Sequence, residues 1–257
     1  MMDKYLKRIG FRGAMHKTHE SLNALVQAQL THVPFENLDI WSKGSCPSLE
    51  SADLYEKIVA QNRGGYCFEL NTLFRQLLTY LGFEAYQAVS SLVDEAGIAA
   101  PAAHNVIICT LDNEKYLIDV GFGGPVPMGA MPLQEGIWEN FKLRRQEGYW
   151  YLDRWEQDRY RPSIRFQDTA ASLQELIPLN FYISQKPDSH FRHRLNVSVK
   201  RPDGSIHRLL GDQLHVRMQD CVADTTISRE VLSAVLLEHF GIPYFDIPQE
   251  KPLCGEF

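Results

Sequence analysis

The stretch Arg63-Gly64-Gly65-Tyr66-Cys67-Phe68-Glu69-Leu70-Asn71 is the most informative segment of the 257-residue chain. Two adjacent glycines favour a tight turn directly before Cys67. From Phe68 onwards, apolar residues recur with the period of a helix, and Gly82 stands where the residue after a helix is expected. These apolar positions are Leu70, Leu73, Phe74, Leu77, Leu78 and Leu81. The segment therefore predicts a helix over 68–81 with a cysteine at its start.

The position of Cys67 suggests a reactive thiol. At a helix N-terminus, a thiol meets a partial positive charge and unpaired N–H groups, which favour the thiolate. The alternative is an inert cysteine in the core, since free cysteine is among the most buried residue types. A nearby general base would decide between these interpretations.

His104 and Asp119 are the best candidates for such a base and its carboxylate partner. His104 opens a predicted strand over 105–110, and Asp119 lies near the end of a second strand over 115–120. The two strands form a predicted hairpin around the turn 111–114. In an antiparallel hairpin, the start of one strand lies beside the end of the other, so the two side chains can be neighbours. Together with Cys67, they predict a thiol nucleophile, a histidine base and a carboxylate that orients it.

The remaining pattern predicts helices at both ends of the chain and strands between them. A helix over 54–59 begins near Ser51, a possible N-cap, and a terminal helix starts near Ser228, carries Val231 inward and ends at Gly241. A short helical stretch follows Asp168. Further strands are expected at 84–93, 141–146, 149–155, 160–166, 194–200 and 205–217. Strands at this spacing indicate a small barrel or sandwich.

Composition excludes several classes of protein. The formal net charge is −6, with 44% hydrophobic and 23% charged residues, which is typical of a globular protein and not of one that coats nucleic acid or anionic membranes. The five cysteines are scattered without a paired motif, so we expect reduced thiols in a cytoplasmic protein and no metal site. The first residues lack the apolar stretch of a signal peptide, and no run is long enough to span a membrane.

Other motifs are less specific. His190 and His193 lack a cysteine or acidic partner at metal-ligand spacing, which favours a surface loop over a metal site. The glycines of 121–124 do not match a dinucleotide-binding fingerprint. Four cations could attract a polyanionic cofactor, but a solvated face is the favoured interpretation. These cations are Lys200, Arg201, Arg208 and Arg217.

Four segments carry a resemblance to a known family: the residues around Cys67, the His104 strand, Asp119-Val-Gly-Phe-Gly and Val33-Pro-Phe-Glu-Asn-Leu-Asp39. They resemble the arylamine N-acetyltransferases, and the similarity runs to about Gly241. The resemblance implies an α+β fold with an N-terminal helical bundle over 1–82, a central β-barrel over 83–190 and a C-terminal α/β lid over 191–257. It further implies that Cys67, His104 and Asp119 form a cysteine-protease-like catalytic triad. Acetyl-CoA would be a co-substrate, with no permanently bound cofactor.

The resemblance also assigns roles to residues outside the triad. Phe122 takes the place of an aromatic residue that lines the acceptor pocket. Gly123 and Gly124 are the expected coenzyme contacts, because bare backbone N–H groups can approach phosphates. The run 99–103 departs from the family pattern, since it holds alanine and proline where relatives often carry threonine, serine or glycine. We also hypothesise an ion pair between Glu36 and Arg63 that fixes the turn before Cys67, which a double-mutant cycle on acetylation rate and melting temperature would test.

The expected function is transfer of an acetyl group from acetyl-CoA to the nitrogen of arylamines, arylhydrazines or N-hydroxyarylamines, as in xenobiotic metabolism. The mechanism would be ping-pong, through an acetyl-Cys67 intermediate. Three alternatives stay open: a thiol hydrolase or transamidase that uses the same triad, an amide synthase for a larger acyl chain, and a binding module in which Cys67 is inert. Trapping of an acetyl-enzyme and the rate of reaction with iodoacetamide separate these possibilities.

Overall fold

The computed structural model describes residues 1–13, 15–97, 99–218, 221–243, 247–248 and 251–254, and within them the chain forms eight α-helices and thirteen β-strands. The helices are α1 Met2–Arg8, α2 His19–His32, α3 Leu38–Lys43, α4 Ser51–Tyr55, α5 Cys67–Tyr80, α6 Leu173–Gln185, α7 His190–His193 and α8 Leu232–Phe240. A π-helical turn, Glu56–Ala60, continues α4, and a 3-10 turn, Arg229–Val231, precedes α8.

The strands form two antiparallel sheets. In chain order they are β1 Phe35–Glu36, β2 Glu84–Leu92, β3 His104–Leu111, β4 Glu114–Ile118, β5 Met131–Pro132, β6 Gly136–Trp138, β7 Phe141–Gln146, β8 Tyr149–Glu156, β9 Arg159–Phe166, β10 Asn196–Lys200, β11 Ile206–Leu210, β12 Gln213–Met218 and β13 Cys221–Thr226. Eight of them, in the order β5-β4-β3-β2-β9-β8-β7-β6, curl into a nearly closed barrel. The other five, in the order β1-β10-β11-β12-β13, form a second sheet. The fold is therefore α+β.

Helix α5 is the central element of the largest apolar cluster. Every residue from Cys67 to Phe74 is buried, because the helix packs between the N-terminal helices and the outer face of β2 and β3. The sequence pattern indicated an apolar stripe on one face, and the structure buries the polar faces as well. Polar residues there are tolerated because they are hydrogen-bonded to neighbouring elements.

Strand β1 connects the turn before α5 to the second sheet. Phe35 lies opposite Ser198 of β10 and also bridges Gly65 in parallel. The two residues of β1 thus hold the segment before Cys67 against β10, which lies more than a hundred positions after Cys67 in the chain. A short strand therefore positions the start of α5 relative to both sheets.

Several sequence-based predictions are confirmed. The helix predicted over 68–81 is α5, and Gly82 follows it with a positive φ of 86°. The hairpin of 105–110 and 115–120 is β3 and β4, joined by Asp112 and Asn113, which both have positive φ as a tight two-residue turn requires.

Other predictions need correction. Ser51 does not cap α4 but is its first residue, since the N-cap is Glu50. The single strand expected over 205–217 is two strands, because Gly211 adopts a positive φ and the chain turns there. Val231 lies in the 3-10 turn and is 45% exposed, so it does not point inward. The segment around His190 and His193 is the short helix α7 and not a loop.

Candidate active site

Cys67, His104 and Asp119 meet where α5 faces the β3–β4 hairpin. Cys67 is the first residue of α5, His104 is the first residue of β3, and Asp119 directly follows β4. The Nε2 N–H of His104 donates to Asp119 Oδ2 at 2.6 Å. The thiol of Cys67 lies beside His104, close enough to contribute to the raised pKa of the ring. Because Asp119 occupies Nε2, the ring nitrogen available to the thiol is Nδ1. The predicted neighbourhood of the three side chains is thus observed.

Burial and charge act in opposite directions on His104. All three residues are buried: Cys67 is 3% exposed, His104 is 2% exposed and Asp119 is 4% exposed. Burial alone would lower the pKa of His104, but the carboxylate of Asp119 and the contact with Cys67 outweigh it and raise that pKa to about 10. At neutral pH the ring is therefore an imidazolium that can stabilise an adjacent anion.

The carboxylate of Asp119 is held at both oxygens. Oδ2 accepts from His104, while Oδ1 accepts from the backbone N–H of Gly121 at 2.9 Å and from Nδ2 of Asn71 at 3.1 Å. These three donors fix the plane of the buried carboxylate. Asp119 therefore presents one oxygen to the imidazole in a fixed orientation.

The turn before Cys67 is clamped against β1. A Cβ on Gly64 would lie 2.0 Å from the carbonyl oxygen of Pro34, so only glycine fits this approach. The backbone N–H of Glu36 donates to the carbonyl of Gly65 at 2.9 Å. One turn further on, the side chain of Glu69 accepts from the backbone N–H of Tyr66 at 3.1 Å and so caps α5. The start of the helix is fixed on both sides.

The ion pair hypothesised between Glu36 and Arg63 is present and buried. Arg63 donates to Glu36 Oε1 through Nε at 3.0 Å and through Nη2 at 2.7 Å, and it also reaches Asp39 Oδ2 at 3.1 Å. Glu36 is fully buried, and its other oxygen accepts from the backbone N–H of Leu38. Removal of one partner from such a pair leaves an uncompensated buried charge, which typically costs about 3–5 kcal/mol.

Lys57 extends this pair into a charged cluster beneath the turn. Its Nζ lies 2.8 Å from Glu69 Oε1 and 2.9 Å from Asp39 Oδ2. Burial opposes the charge of Lys57, but the surrounding carboxylates outweigh it and raise its pKa. Burial likewise opposes the charge of Asp39, and the cations Lys57 and Arg63 outweigh it and lower the pKa of Asp39 to about 2. Lys57 and Asp39 therefore stay ionised around neutral pH, whereas burial raises the pKa of Glu69.

Two cavities flank the loop that follows Asp119. The Cys67 cavity has a volume of about 420 Å³ and is lined by Cys67 and His104. Its rim is formed by residues of α6 and α7, among them His190. The basic cavity, of about 470 Å³, has apolar walls from the N-terminal part and positively charged side chains from the second sheet. These side chains are Lys200, Arg208 and Arg217, and His215 also lines this cavity. Both cavities are lined by the residues Phe122, Gly123, Gly124 and Pro125.

The cations of the second sheet correct one interpretation from the sequence. Lys200, Arg208 and Arg217 line the basic cavity, so they are not simply a solvated face. Burial lowers the pKa of Lys200 to about 8, and its Nζ donates to the carbonyl of Val126 at 2.9 Å. Strand pairing of β10, β11 and β12 brings these side chains to one cavity, which no local sequence pattern indicates.

Phe122, Gly123 and Gly124 lie beside the triad. The ring of Phe122 packs edge-on against His104, with ring centroids 5.5 Å apart. Gly123 has a positive φ of 71°, and a Cβ there would lie 2.7 Å from the ring of Phe35. Two residues near Cys67 received no role from the sequence, namely Asn71 and Gly121. For Asn71, the sequence signal was its position four residues after Cys67, since residues at this spacing lie on one face of a helix.

Replacement of Gly121 by alanine is expected to disturb the site directly. A Cβ there would lie 2.8 Å from the Cα of Cys67 and 2.9 Å from Nδ2 of Asn71, so backbone would have to move. We expect Gly121→Ala to lower the free energy of unfolding by about 1–3 kcal/mol, as overpacking does. A displacement of about 1 Å at the site would also cost on the order of 100-fold in rate. Chemical denaturation and acetylation rates measure the two effects.

Gly13→Ala is the matched control, since the nearest atom to its Cβ would be the ring edge of Phe11 at 3.3 Å. This variant should keep both stability and activity close to those of the unmodified protein. If Gly121→Ala kept the same stability and activity as Gly13→Ala, this result would contradict the close packing of Gly121 on Cys67.

Neither a metal centre nor a membrane span emerges from the parts of the chain that the structure describes. In those ranges, no three His, Cys, Asp or Glu side chains converge as metal ligands would. Of the helices described, none is both long and apolar enough to cross a bilayer.

Comparison with known proteins gives a consistent family. A family model described as N-acetyltransferase matches residues 18–245. The chain is 31% identical to an arylamine N-acetyltransferase of Mycolicibacterium smegmatis over 256 residues, which covers 95% of this chain and 92% of that protein. It is 29% identical to human arylamine N-acetyltransferase 1 over 278 residues, which covers 94% and 93% of the two chains.

Solved structures agree with the sequence comparison. The arylamine N-acetyltransferase of Mycobacterium marinum superposes with a TM-score of 0.88 at 26% identity, covering 94% of this chain and 93% of that one. The same enzyme in complex with CoA superposes with a TM-score of 0.87, with the same identity and coverage. With a family match over most of its length and the same fold as these enzymes, the chain belongs to the arylamine N-acetyltransferase family.

Proposed function

We propose that this protein transfers an acetyl group from acetyl-CoA to the nitrogen of arylamines, arylhydrazines or N-hydroxyarylamines, and that Cys67 carries the acetyl group in between. The observation that supports this most strongly is the contact of a helix N-terminal cysteine with a histidine whose Nε2 donates to a buried carboxylate, in a chain of this family. Cys67 is the nucleophile, His104 its base, and Asp119 the group that orients His104.

In the first half-reaction, Cys67 accepts the acetyl group. The thiolate of Cys67, paired with the imidazolium of His104, attacks the carbonyl carbon of the thioester. A new C–S bond forms, the oxyanion develops near the N–H groups at the start of α5, and the C–S bond to CoA breaks. The departing CoA sulfur takes the proton from His104. One thioester replaces another, so this step is close to neutral in energy and readily reversible.

In the second half-reaction, the acceptor nitrogen attacks the acetyl-Cys67 carbonyl. The C–N bond forms, the C–S bond breaks, and His104 takes the proton that the nitrogen loses, which restores the thiolate–imidazolium pair. General base assistance of this kind contributes roughly 10²–10⁴-fold to the rate. Arylamines suit the site because their nitrogen is largely unprotonated at neutral pH, whereas an aliphatic amine is mostly cationic. Phe122, edge-on to His104, would line the acceptor pocket.

The basic cavity supports binding of the CoA phosphates beside the thiol. Gly123 and Gly124 line both cavities, and their backbone N–H groups would approach the coenzyme without a side chain in the way. Arg208 also lines both cavities. A polyanion with a long flexible arm could therefore place its phosphates among the cations and its thioester at Cys67. The Mycobacterium marinum relative with the same fold is known as a complex with CoA.

Replacement of Arg208 by glutamine is expected to raise KM for acetyl-CoA about tenfold, because one charge-assisted contact to phosphate is lost. With the acetyl thioester of N-acetylcysteamine, which lacks phosphates, the KM of the variant should match that of the unmodified protein. Steady-state kinetics with both donors measures the difference. Arg201→Gln is the matched control, since Arg201 follows β10 on the same sheet but outside both cavities. Equal KM changes with both donors would argue against phosphate binding at Arg208.

An exchange experiment tests the proposed mechanism. The protein is mixed with acetyl-CoA and isotopically labelled CoA in the absence of any amine. A ping-pong enzyme moves label into acetyl-CoA, because the acetyl group returns from Cys67 to labelled CoA. A sequential mechanism gives no exchange without the acceptor, and a thiol hydrolase gives acetate instead. Exchange with longer acyl-CoA donors in preference to acetyl-CoA would favour the amide synthase.

A further inference from the structure

Asn71 connects the helix that carries Cys67 to the two ends of the β3–β4 hairpin, at His104 and Asp119. It lies one helical turn after Cys67 on α5 and is fully buried. Its Nδ2 donates to the backbone carbonyl of Asn105 at 2.8 Å, next to His104, and to Asp119 Oδ1 at 3.1 Å. Its Oδ1 accepts from the backbone N–H of Val120 at 3.0 Å, next to Asp119. One carboxamide therefore spans all three elements of the site.

The chemistry of these contacts requires a carboxamide. Two acceptors and one donor converge on the side chain, and an asparagine offers two N–H groups and one carbonyl oxygen in a single plane. Aspartate would direct an acceptor at the carboxylate of Asp119, and an alanine would leave all three buried groups without this partner. The helix and the hairpin share no covalent connection near this point, so the relative position of Cys67 and His104 depends on side chains of this kind.

We propose that Asn71 is a positioning residue that sets the distance of Cys67 from His104 by holding Asp119 and the β3–β4 hairpin against α5. Its hydrogen bonds run to Asn105, Asp119 and Val120, so it acts on Cys67 through Asp119 and the hairpin. This inference rests on the proposed function, because its effect is expressed as the reactivity of Cys67.

The neighbouring residue offers a matched control. Thr72 is also buried on α5, and its Oγ1 accepts from Nε2 of Gln87 at 3.0 Å. It therefore makes a helix-to-barrel hydrogen bond of the same kind, but to β2 and without contact to Asp119. If Asn71 acted only by stabilising the packing of α5 on the barrel, Asn71→Ala and Thr72→Ala would have similar consequences.

The experiment measures the rate at which iodoacetamide alkylates Cys67 at pH 6.5 and pH 8.5. For an ordinary thiol, with a pKa near 8.5, the rate at the higher pH is about 50 times the rate at the lower pH. A thiolate–imidazolium pair makes the two rates similar. We expect the unmodified protein and Thr72→Ala to show similar rates at both pH values. In Asn71→Ala we expect the rate at pH 6.5 to fall by about 10- to 100-fold, the range for a lost hydrogen bond to a charged group.

Two further measurements keep the inference falsifiable. Asn71→Asp retains the acceptor for Val120 and the size of the side chain, and it should lose at least as much reactivity at pH 6.5 as Asn71→Ala. In an Asp119→Asn background, Asn71→Ala should have little additional effect on alkylation, because its partner is already altered. Additive effects of Asn71→Ala and Asp119→Asn on the alkylation rate would overturn the inference. So would an Asn71→Ala variant whose rates at pH 8.5 and pH 6.5 have the same ratio as those of Thr72→Ala.

The proposed function and the role of Asn71 can be contradicted separately. If Cys67 in the unmodified protein were no more reactive at pH 6.5 than an ordinary thiol, the proposed function would fail together with the inference. If the unmodified protein were reactive and Asn71→Ala were equally reactive, only the role of Asn71 would be wrong.

Discussion

Cys67→Ala is expected to abolish acetyl transfer, with kcat falling by about 10⁶-fold, as when the nucleophile of a catalytic triad is removed. A thioester on the enzyme requires a thiol, and among the described residues that line this cavity Cys67 is the one cysteine. Acetylation of an arylamine under saturating acetyl-CoA measures the loss. The fold should persist, since the variant removes a single sulfur atom from the lining of the Cys67 cavity.

Cys109→Ala is the control for this substitution. Cys109 is also buried, on β3, but burial raises its pKa to about 12, so its thiol is not a nucleophile at neutral pH. Its replacement should leave kcat close to that of the unmodified protein. A Cys67→Ala variant that kept more than about one hundredth of the activity would rule out a triad with this nucleophile, for which the residual rate is far smaller.

Asp119→Asn is expected to lower kcat by about 10⁴-fold, because the imidazole loses its anionic partner and is held in the wrong tautomer. The pH dependence should change in a defined direction. Asp119 keeps the pKa of His104 near 10 against the effect of burial, so without this charge the pKa of His104 falls. The imidazolium is then lost at a lower pH than in the unmodified protein. Alkylation of Cys67 around neutral pH should slow accordingly, and a profile of alkylation rate against pH measures it.

Asp153→Asn is the matched control for Asp119→Asn. Asp153 is similarly buried, on β8, and its Oδ2 accepts from Nε of Arg144 at 2.7 Å. The substitution should reduce stability, since it removes one partner of an ion pair, but it should leave the pH profile of Cys67 unchanged. An Asp119→Asn variant with the same profile as Asp153→Asn would contradict the assigned role of Asp119.

The elements that carry the site could be predicted because their signals are local. The period of apolar residues and Gly82 define α5, and the turn at Asp112 and Asn113 sets the register of the β3–β4 hairpin. That register brings His104 and Asp119 together, although they are 15 positions apart. The sequence also grouped Cys67 with this pair by residue type, but it could not predict the distance between them, because nothing local determines how a helix packs on a hairpin.

The features that the sequence did not indicate depend on long-range packing. Strand β13 was not predicted, because all six of its residues are exposed and it lacks an alternating pattern. The basic cavity forms from three strands that each contribute isolated cations. The role of Asn71 depends on hydrogen bonds to residues 34 and 48 positions away. The division of the chain at 82/83 and 190/191 stays a prediction.

The most direct test of an acetyl-Cys67 intermediate is mass spectrometry of the intact and digested protein after incubation with acetyl-CoA alone. Without an acceptor, the acetyl group should remain on the enzyme, so we expect one added acetyl group, located on Cys67 and removed when an arylamine is supplied. Absence of the adduct in a protein that still acetylates arylamines, or an adduct on another residue that arylamines discharge, would contradict covalent catalysis by Cys67.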